Sequence, residues 1–233
     1  MGPAVEPRPP DRRSEAPTRP AVDAALLRLA ADGGPVGFDG GASLWHAGEL
    51  ASRFAVIDAG IVAIRRLTAA GDAIVLGLFG PGDAIGLPAA LAREPFPADA
   101  VALAPVAVHW IPAAPLAAAL PASPALCEAV DHALLMHTHA LRDKIDIVSA
   151  GTVPRRLAAL FLHLAGRFGT PSPTGAVAIE FGLTREQIGQ LVSARTETVV
   201  RVLGRWQRAG WFDGGRTRID LVRPDMLARI LGS

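Results

Sequence analysis

The chain has 233 residues, half of them hydrophobic and only 5% aromatic, with 23 basic and 22 acidic side chains and a net charge of +1. That length suits two small domains, and the apolar share is enough for a core in each. No apolar run is long enough to cross a bilayer, residues 1–20 lack the apolar stretch of a signal peptide, and a single cysteine excludes an internal disulfide and a cluster held by four cysteines. A reducing, cytoplasmic setting is expected, with no membrane partner and with Cys127 as a small buried apolar residue.

Residues 1–20 contain six prolines among scattered charges and read as a disordered tail. Residues 36–112 read as β structure. The apolar runs Phe54-Ala-Val-Ile57, Ile61-Val-Ala-Ile64 and Ile74-Val-Leu-Gly-Leu-Phe79 alternate with turns at Gly40-Gly41, Ala59-Gly60, Ala70-Gly71-Asp72 and Gly80-Pro81-Gly82-Asp83. A further strand pair is expected in 101–111. Short strands at regular spacing with glycine turns suggest a barrel or roll. Helical periodicity takes over from about residue 125 to 148, where Val130, Leu134, His137, Leu141, Ile145 and Val148 recur at spacings of three and four. A long helix with one such stripe commonly pairs with another, so a homodimer is expected. The alternative is that the stripe packs only on its own β domain. Ala150-Gly151 breaks the helix, and residues 154–168 start a second domain, with Pro154 in a first helical turn.

The stretch Leu183-Thr-Arg-Glu-Gln-Ile-Gly-Gln-Leu-Val-Ser-Ala-Arg-Thr-Glu-Thr-Val-Val-Arg201 carries the most chemistry. Thr184 and Gln187 have capping-box spacing. Ile188, Leu191 and Val192 form the core stripe of a first helix, and Ser193 and Ala194 are small enough for a sharp turn. A second helix runs to about Ala209 with Val199, Val202, Leu203 and Trp206 inward, and Gly210 ends it. Thr196, Glu197, Val200 and Arg201 fall on the other face. In a helix-turn-helix the start of the second helix enters the major groove. Arginine can bind guanine O6 and N7 together, and glutamate can accept from cytosine N4. The competing reading is an amphipathic helical hairpin with solvated charges. Trp211-Phe-Asp-Gly-Gly-Arg-Thr-Arg-Ile-Asp-Leu221 reads as a hairpin wing turning at Asp213-Gly214-Gly215, with Arg216 and Arg218 free to meet phosphate or merely to keep an edge strand soluble. Residues 150–233 hold 12 arginines against 6 acidic residues, +6, whereas residues 1–149 hold 11 basic and 16 acidic residues, −5. The near-neutral total hides a basic C-terminal half suited to duplex DNA.

With these residues assembled, the chain resembles the CRP/FNR family of bacterial transcription factors over roughly residues 30–233. The match rests on Arg185-Glu-Gln-Ile-Gly-Gln-Leu-Val, on Thr196-Glu-Thr-Val-Val-Arg-Val-Leu203 and on the turn Pro81-Gly-Asp-Ala-Ile-Gly86. The resemblance implies an α+β chain: an N-terminal cyclic-nucleotide-binding-type β-roll sensor over 21–123, a dimerisation helix and hinge over 124–150, and a C-terminal winged helix-turn-helix over 151–233. It implies that Glu197 and Arg201 read bases of a palindromic operator, that Thr196 and Val200 modulate specificity, and that Arg185 holds phosphate. Thr184, Arg195, Thr198, Arg216 and Arg218 complete the candidate DNA-binding set. Partners would be double-stranded DNA, a second copy of the chain and, for transcription control, RNA polymerase.

The candidate effector pocket comprises Gly86, Leu87, Phe96, Pro97, Leu141 and Arg142. Here the chain departs from the family's cyclic-AMP binders. Leu87 replaces the glutamate that meets the ribose, Phe96-Pro97-Ala98 replaces the Arg-Ser pair for the phosphate, and Leu141-Arg142 replaces the polar pair for adenine. A buried phosphate without an arginine is poorly compensated, which argues against cyclic AMP or cyclic GMP. The cysteine count excludes the iron–sulfur branch. Haem-dependent gas sensing is the alternative within the family, with His137 as the candidate ligand and His132 and His139 nearby. No catalytic or metal site is expected: the chain has no Walker-type loop, no HExxH and no GxSxG. A ligand-binding or scaffold protein whose helix-turn-helix meets only proteins is the alternative outside it.

Overall fold

Two sheets, rather than consecutive hairpins, absorb the strands of residues 36–112. The computed structural model describes residues 24–30, 34–68, 73–215 and 217–232. The expected tail at 1–20, the turn Ala70-Gly71-Asp72 and Arg216 therefore lie outside the described residues. The strands are β1 (Val36–Phe38), β2 (Ser43–Trp45), β3 (Arg53–Ala59), β4 (Val62–Leu67), β5 (Ala73–Phe79), β6 (Ala84–Ile85), β7 (Asp99–Ala102) and β8 (Val106–Pro112). One antiparallel sheet has the order β1-β8-β3-β6 and the other β2-β7-β4-β5. The chain passes repeatedly from one sheet to the other. The two strands expected in 101–111 exist, yet they do not pair with each other: β7 pairs with β2 and β4, and β8 with β1 and β3. Gly60, at φ 85°, makes one crossing. A Cβ there would lie 2.4 Å from the Pro105 carbonyl oxygen, so no other residue fits the approach.

The sheets enclose a core of Phe54, Val56, Ile57, Ile85, Val108 and Ile111, all fully buried. Three short helices close the roll: α1 (Ala24–Leu27), α2 (Leu87–Ala92) and α3 (Ala113–Ala119). A 3₁₀ turn, Leu120–Ala122, then leads into α4 (Pro124–Ser149). Ser123 caps α4 through its side chain, which accepts from the Leu126 N–H at 3.4 Å, and Pro124 sits in its first turn. At 26 residues the helix is about 39 Å long.

The apolar stripe expected on α4 divides between two faces. Leu126, Ala129, Val130, Ala133 and Ala140 are buried on the roll. Three alanines let the helix axis approach the sheets closely, which pushes larger side chains to the far side. Leu134, Leu135, Leu141 and Ile145 are exposed in the single chain, at 37%, 55%, 53% and 60%. Cys127, expected inside, is also exposed, its thiol directed to the Leu120 carbonyl at 3.4 Å. It lies one heptad before Leu134, on the outer face, so helix geometry carries it away from the roll.

Gly151, at φ 98°, turns the chain into α5 (Val153–Phe168). Then follow β9 (Gly169–Pro171), β10 (Val177–Ile179), α6 (Arg185–Val192), α7 (Thr196–Arg208), β11 (Phe212–Gly214), β12 (Ile219–Leu221) and α8 (Pro224–Gly232). The small sheet has the order β11-β12-β10-β9. Asp213 and Gly214, expected in the turn, are paired with Asp220 and Ile219, and the turn begins at Gly215, whose N–H donates to the Arg218 carbonyl at 2.9 Å. The core of this domain joins Leu157, Phe161, Leu164, Val199, Leu203 and Trp206 to Ile61, Ala63, Val75 and Leu78 of the roll. The C-terminal domain thus rests on the outer face of the β2-β7-β4-β5 sheet.

Candidate DNA-binding surface and effector pocket

The capping box at the start of α6 forms in full. The Thr184 N–H donates to Gln187 Oε1 at 2.8 Å, and the Gln187 N–H to Thr184 Oγ1 at 3.1 Å. Ser193 takes a left-handed conformation, φ 51°, and turns the chain toward α7. Gly189, which the sequence pattern does not single out, is what permits that turn: a Cβ there would lie 2.7 Å from the Ala194 carbonyl oxygen. On α7, Val199, Val202, Leu203 and Trp206 are buried. Glu197, Val200 and Arg201 are exposed on the opposite face, with Thr196 and Thr198 half-buried beside them and Arg195 exposed just before the helix. Arg205 and Arg208 are exposed too, four and seven residues beyond Arg201. They extend the basic face along α7, and their i, i+4, i+7 spacing is the signal that marks them.

Two expected phosphate contacts stand differently. Arg185 is half-buried with its guanidinium 5.7 Å from the centre of the Phe212 ring, and burial lowers its pKa from the ordinary value. It therefore braces α6 on the wing as well as presenting charge. Arg218, expected free, donates from Nε to both Asp220 carboxylate oxygens at 2.9 and 3.1 Å and lies 3.3 Å from Glu180. Asp220 is two residues on, in β12, which starts just after Arg218, so the pair forms within the wing, and these carboxylates raise the arginine's pKa.

Two cations, Arg167 and Lys144, tie this domain to the rest of the chain. Arg167 of α5 donates to Asp83 Oδ2 at 2.6 Å and to the Leu78 carbonyl at 3.0 Å. Asp83 is 8% exposed and also accepts the Gly80 N–H at 2.7 Å. Burial lifts its carboxyl above the usual value against the pull of Arg167 and that N–H. Lys144 of α4 donates to the Gln190 and Leu191 carbonyls at 3.1 and 2.6 Å, and burial pulls its ammonium down to about 8. Those carbonyls belong to the last turn of α6, where helix geometry leaves acceptors without partners. Arg156 reaches the next carbonyls, of Val192 and Ser193, at 3.4 Å. A cleft of about 600 Å³ separates the β4–β5 hairpin, at Thr68, Ala73 and Ile74, from the turn between α6 and α7, at Ser193, Arg195 and Thr196.

Between the roll and α4 lies a cavity of about 180 Å³. Of the six residues expected around an effector, Gly86, Phe96, Pro97 and Leu141 line it. Leu87 does not, because its side chain is wholly buried in the roll core at the first turn of α2. Arg142 does not, because one step along α4 rotates it by about 100° from Leu141 and into solvent. No arginine or lysine lines the cavity among the described residues, so a cyclic phosphate would find no counter-charge there. The residues do not fit haem either. His137 Nε2 is spent on the Ala84 carbonyl at 2.9 Å, burial lowers its pKa, and the cavity is far smaller than a porphyrin. His132 is exposed and His139 half-buried, neither at the cavity wall. No cluster of three or more metal-ligating side chains occurs among the described residues.

Residues 35–122 match the cyclic nucleotide-binding domain family and residues 155–230 the Crp-like helix-turn-helix domain family. A CRP-like cAMP-activated global transcriptional regulator of Mycobacterium tuberculosis is 29% identical over 177 residues, 76% of this chain and 79% of that protein. The fumarate and nitrate reduction regulatory protein of Escherichia coli is 28% identical over 194 residues, 82% of this chain and 76% of that protein. A CRP-family transcriptional regulator of Thermus thermophilus shares the fold, with a TM-score of 0.71 at 21% identity over 85% of this chain and 97% of that one. The matched regions, the relatives and the paired roll and helix-turn-helix agree: the chain belongs to the CRP/FNR family of transcription regulators.

Proposed function

We propose that this protein is a sequence-specific DNA-binding regulator rather than an enzyme, acting in the cytoplasm as a homodimer on a palindromic operator. The observation that carries the reading is α7 itself, which buries Val199, Val202, Leu203 and Trp206 and leaves Glu197, Val200 and Arg201 facing out. Arg201 and Glu197 would read base edges, Thr196 and Val200 would adjust the fit, and Thr184, Arg185, Arg195 and Thr198 would hold the flanking backbone. Arg205 and Arg208 add phosphate contacts. Arg218 contributes only where DNA displaces Asp220 and Glu180.

The outer face of α4 supports dimerisation. Leu134, Thr138, Leu141, Ile145 and Val148 fall on alternating heptad positions, and the three largest are exposed in the single chain. Two α4 helices packed on this seam would set two α7 helices about a two-fold axis, as a palindrome requires. A signal at the junction of roll and α4 would shift the domain orientation that Lys144 and Arg167 now hold, through differential affinity for two arrangements. RNA polymerase is the partner through which such a shift would act on transcription.

Selection of bound sequences from a random duplex library tests the reading. A two-fold symmetric site with half-sites one helical turn apart, about 34–36 Å, is expected. Recovery of random duplexes, with affinity indifferent to salt, would refute it.

A further inference from the structure

The cavity between roll and α4 has a lining that selects one class of occupant. One wall is the Trp45 and Phe96 rings, stacked with centroids 4.2 Å apart. Ile64, Leu76, Phe79 and Ala89 form much of the remainder. Two side chains at the wall carry polar hydrogens, and both are spent on backbone carbonyls: Trp45 Nε1 donates to Ala98 at 3.0 Å, and His137 Nε2 to Ala84 at 2.9 Å. Glycines hold the space open. A Cβ at Gly86 would lie 2.8 Å from the Phe96 ring, and one at Gly77 would lie 3.1 Å from Ala140 Cβ and 3.2 Å from the Phe79 ring. Protein interiors rarely leave voids larger than a water molecule, and a void without polar partners stays dry. An apolar cavity of roughly 150 Å³ is already enough to hold benzene. Pro88 and Pro97 are exposed at the rim, and Leu141 beside them is 53% exposed, so the space has a mouth.

We propose that this cavity binds a compact, uncharged, apolar molecule of one or two rings, and that this is the signal class the regulator senses. The inference rests on the reading of the roll–α4 junction as the signal site. The stacked rings match the face of an aromatic ligand, and with these polar hydrogens spent the lining side chains offer no cation and no free donor to a phosphate. Leu141 belongs both to the mouth and to the outer seam of α4, so an occupant would sit against the surface that meets a second copy. His137 bonds the carbonyl next to Asp83, and Asp83 holds Arg167 of the DNA-binding domain. One side chain therefore separates the occupant from that ion pair.

The test is a titration of the full chain with toluene, with indole and separately with cyclic AMP, read by the four tryptophan indole N–H resonances and by nuclear Overhauser contacts to the ligand. Toluene and indole are expected to shift Trp45 saturably and leave Trp206 and Trp211 unmoved, with contacts to Phe96 and Leu141, whereas cyclic AMP shifts none. Ala89→Phe, which fills the cavity, is expected to weaken toluene binding at least tenfold. The contacts in the wild-type chain decide the matter where that variant does not fold. No saturable shift up to the solubility limit, contacts only to Leu134 and Ile145 on the outer seam, or a Trp45 shift with cyclic AMP would overturn the proposal. A protein that takes toluene but selects no DNA would overturn the regulator reading alone, and one that selects DNA but takes neither apolar probe would overturn this inference alone.

Discussion

Replacing Arg167 with methionine strands the Asp83 carboxylate in the interior. Asp83 is 8% exposed, and its contact to Arg167 is 2.6 Å long. Removing one partner of a buried pair costs about 3–5 kcal/mol, because the remaining charge loses its compensation without regaining water. Asp83→Asn is the contrasting change. The amide oxygen still accepts the Gly80 N–H, and Arg167, whose side chain is 23% exposed, can turn toward solvent, so a loss of about 1–2 kcal/mol is expected. The double variant should resemble Asp83→Asn, giving a coupling energy above about 1.5 kcal/mol. Urea unfolding at fixed protein concentration, followed by tryptophan fluorescence, measures all three. Because Asp83 can take up a proton when it loses its cation, the penalty of Arg167→Met should shrink as pH falls from 8 to 5. Equal, small losses for both single variants with no pH dependence would mean that the pair is solvated in solution and does not join the domains.

Gly189→Ala should cost about 1–3 kcal/mol and abolish DNA binding, since its Cβ would press on the Ala194 carbonyl oxygen at 2.7 Å; thermal unfolding and a gel-shift assay check both. Lys144, at about 8 in the folded chain and near its ordinary 10.5 when unfolded, binds fewer protons folded than unfolded between those values. Stability therefore rises with pH across that window, and urea midpoints at pH 7.5 and 10 should show the wild type gaining on Lys144→Met. Leu141→Glu with Ile145→Glu puts charge on the α4 seam, where both residues are exposed in one chain. The pair should yield a folded monomer by sedimentation, with operator affinity reduced at least a hundredfold.

The helix-turn-helix was the most legible part of the chain, because its determinants are local. Thr184 and Gln187 bond each other within one turn, and α7 carries its buried stripe over a single helix. The turn Pro81-Gly82-Asp83 was recognisable by composition, but its role was not. Asp83 meets Arg167 across 84 residues, and no local pattern encodes that distance. The strand runs were visible while their pairing was not. β7 and β8 lie next to each other in sequence yet join opposite sheets, since alternation reports a buried face and not a neighbour. β9 and β10, three residues each, are too short to show periodicity. The α4 stripe misled in part because large apolar residues draw the eye. The alanines at 129, 133 and 140 make the contact with the roll beside Leu126 and Val130, and Leu134, Leu135 and Leu141 are left outside. Arg218 could have been doubted from Asp220 alone, a carboxylate only two residues on and within reach of its guanidinium.

Base reading by Arg201 is the central claim, and the affinity of wild type and Arg201→Ala for a selected symmetric duplex and for a scrambled one tests it most directly. The wild type should prefer its site by a factor of roughly 10³ or more, and the variant should lose about 1–3 kcal/mol of that discrimination per half-site while remaining a folded dimer. Equal affinity for both duplexes in both proteins would contradict the assignment of α7 as the recognition helix.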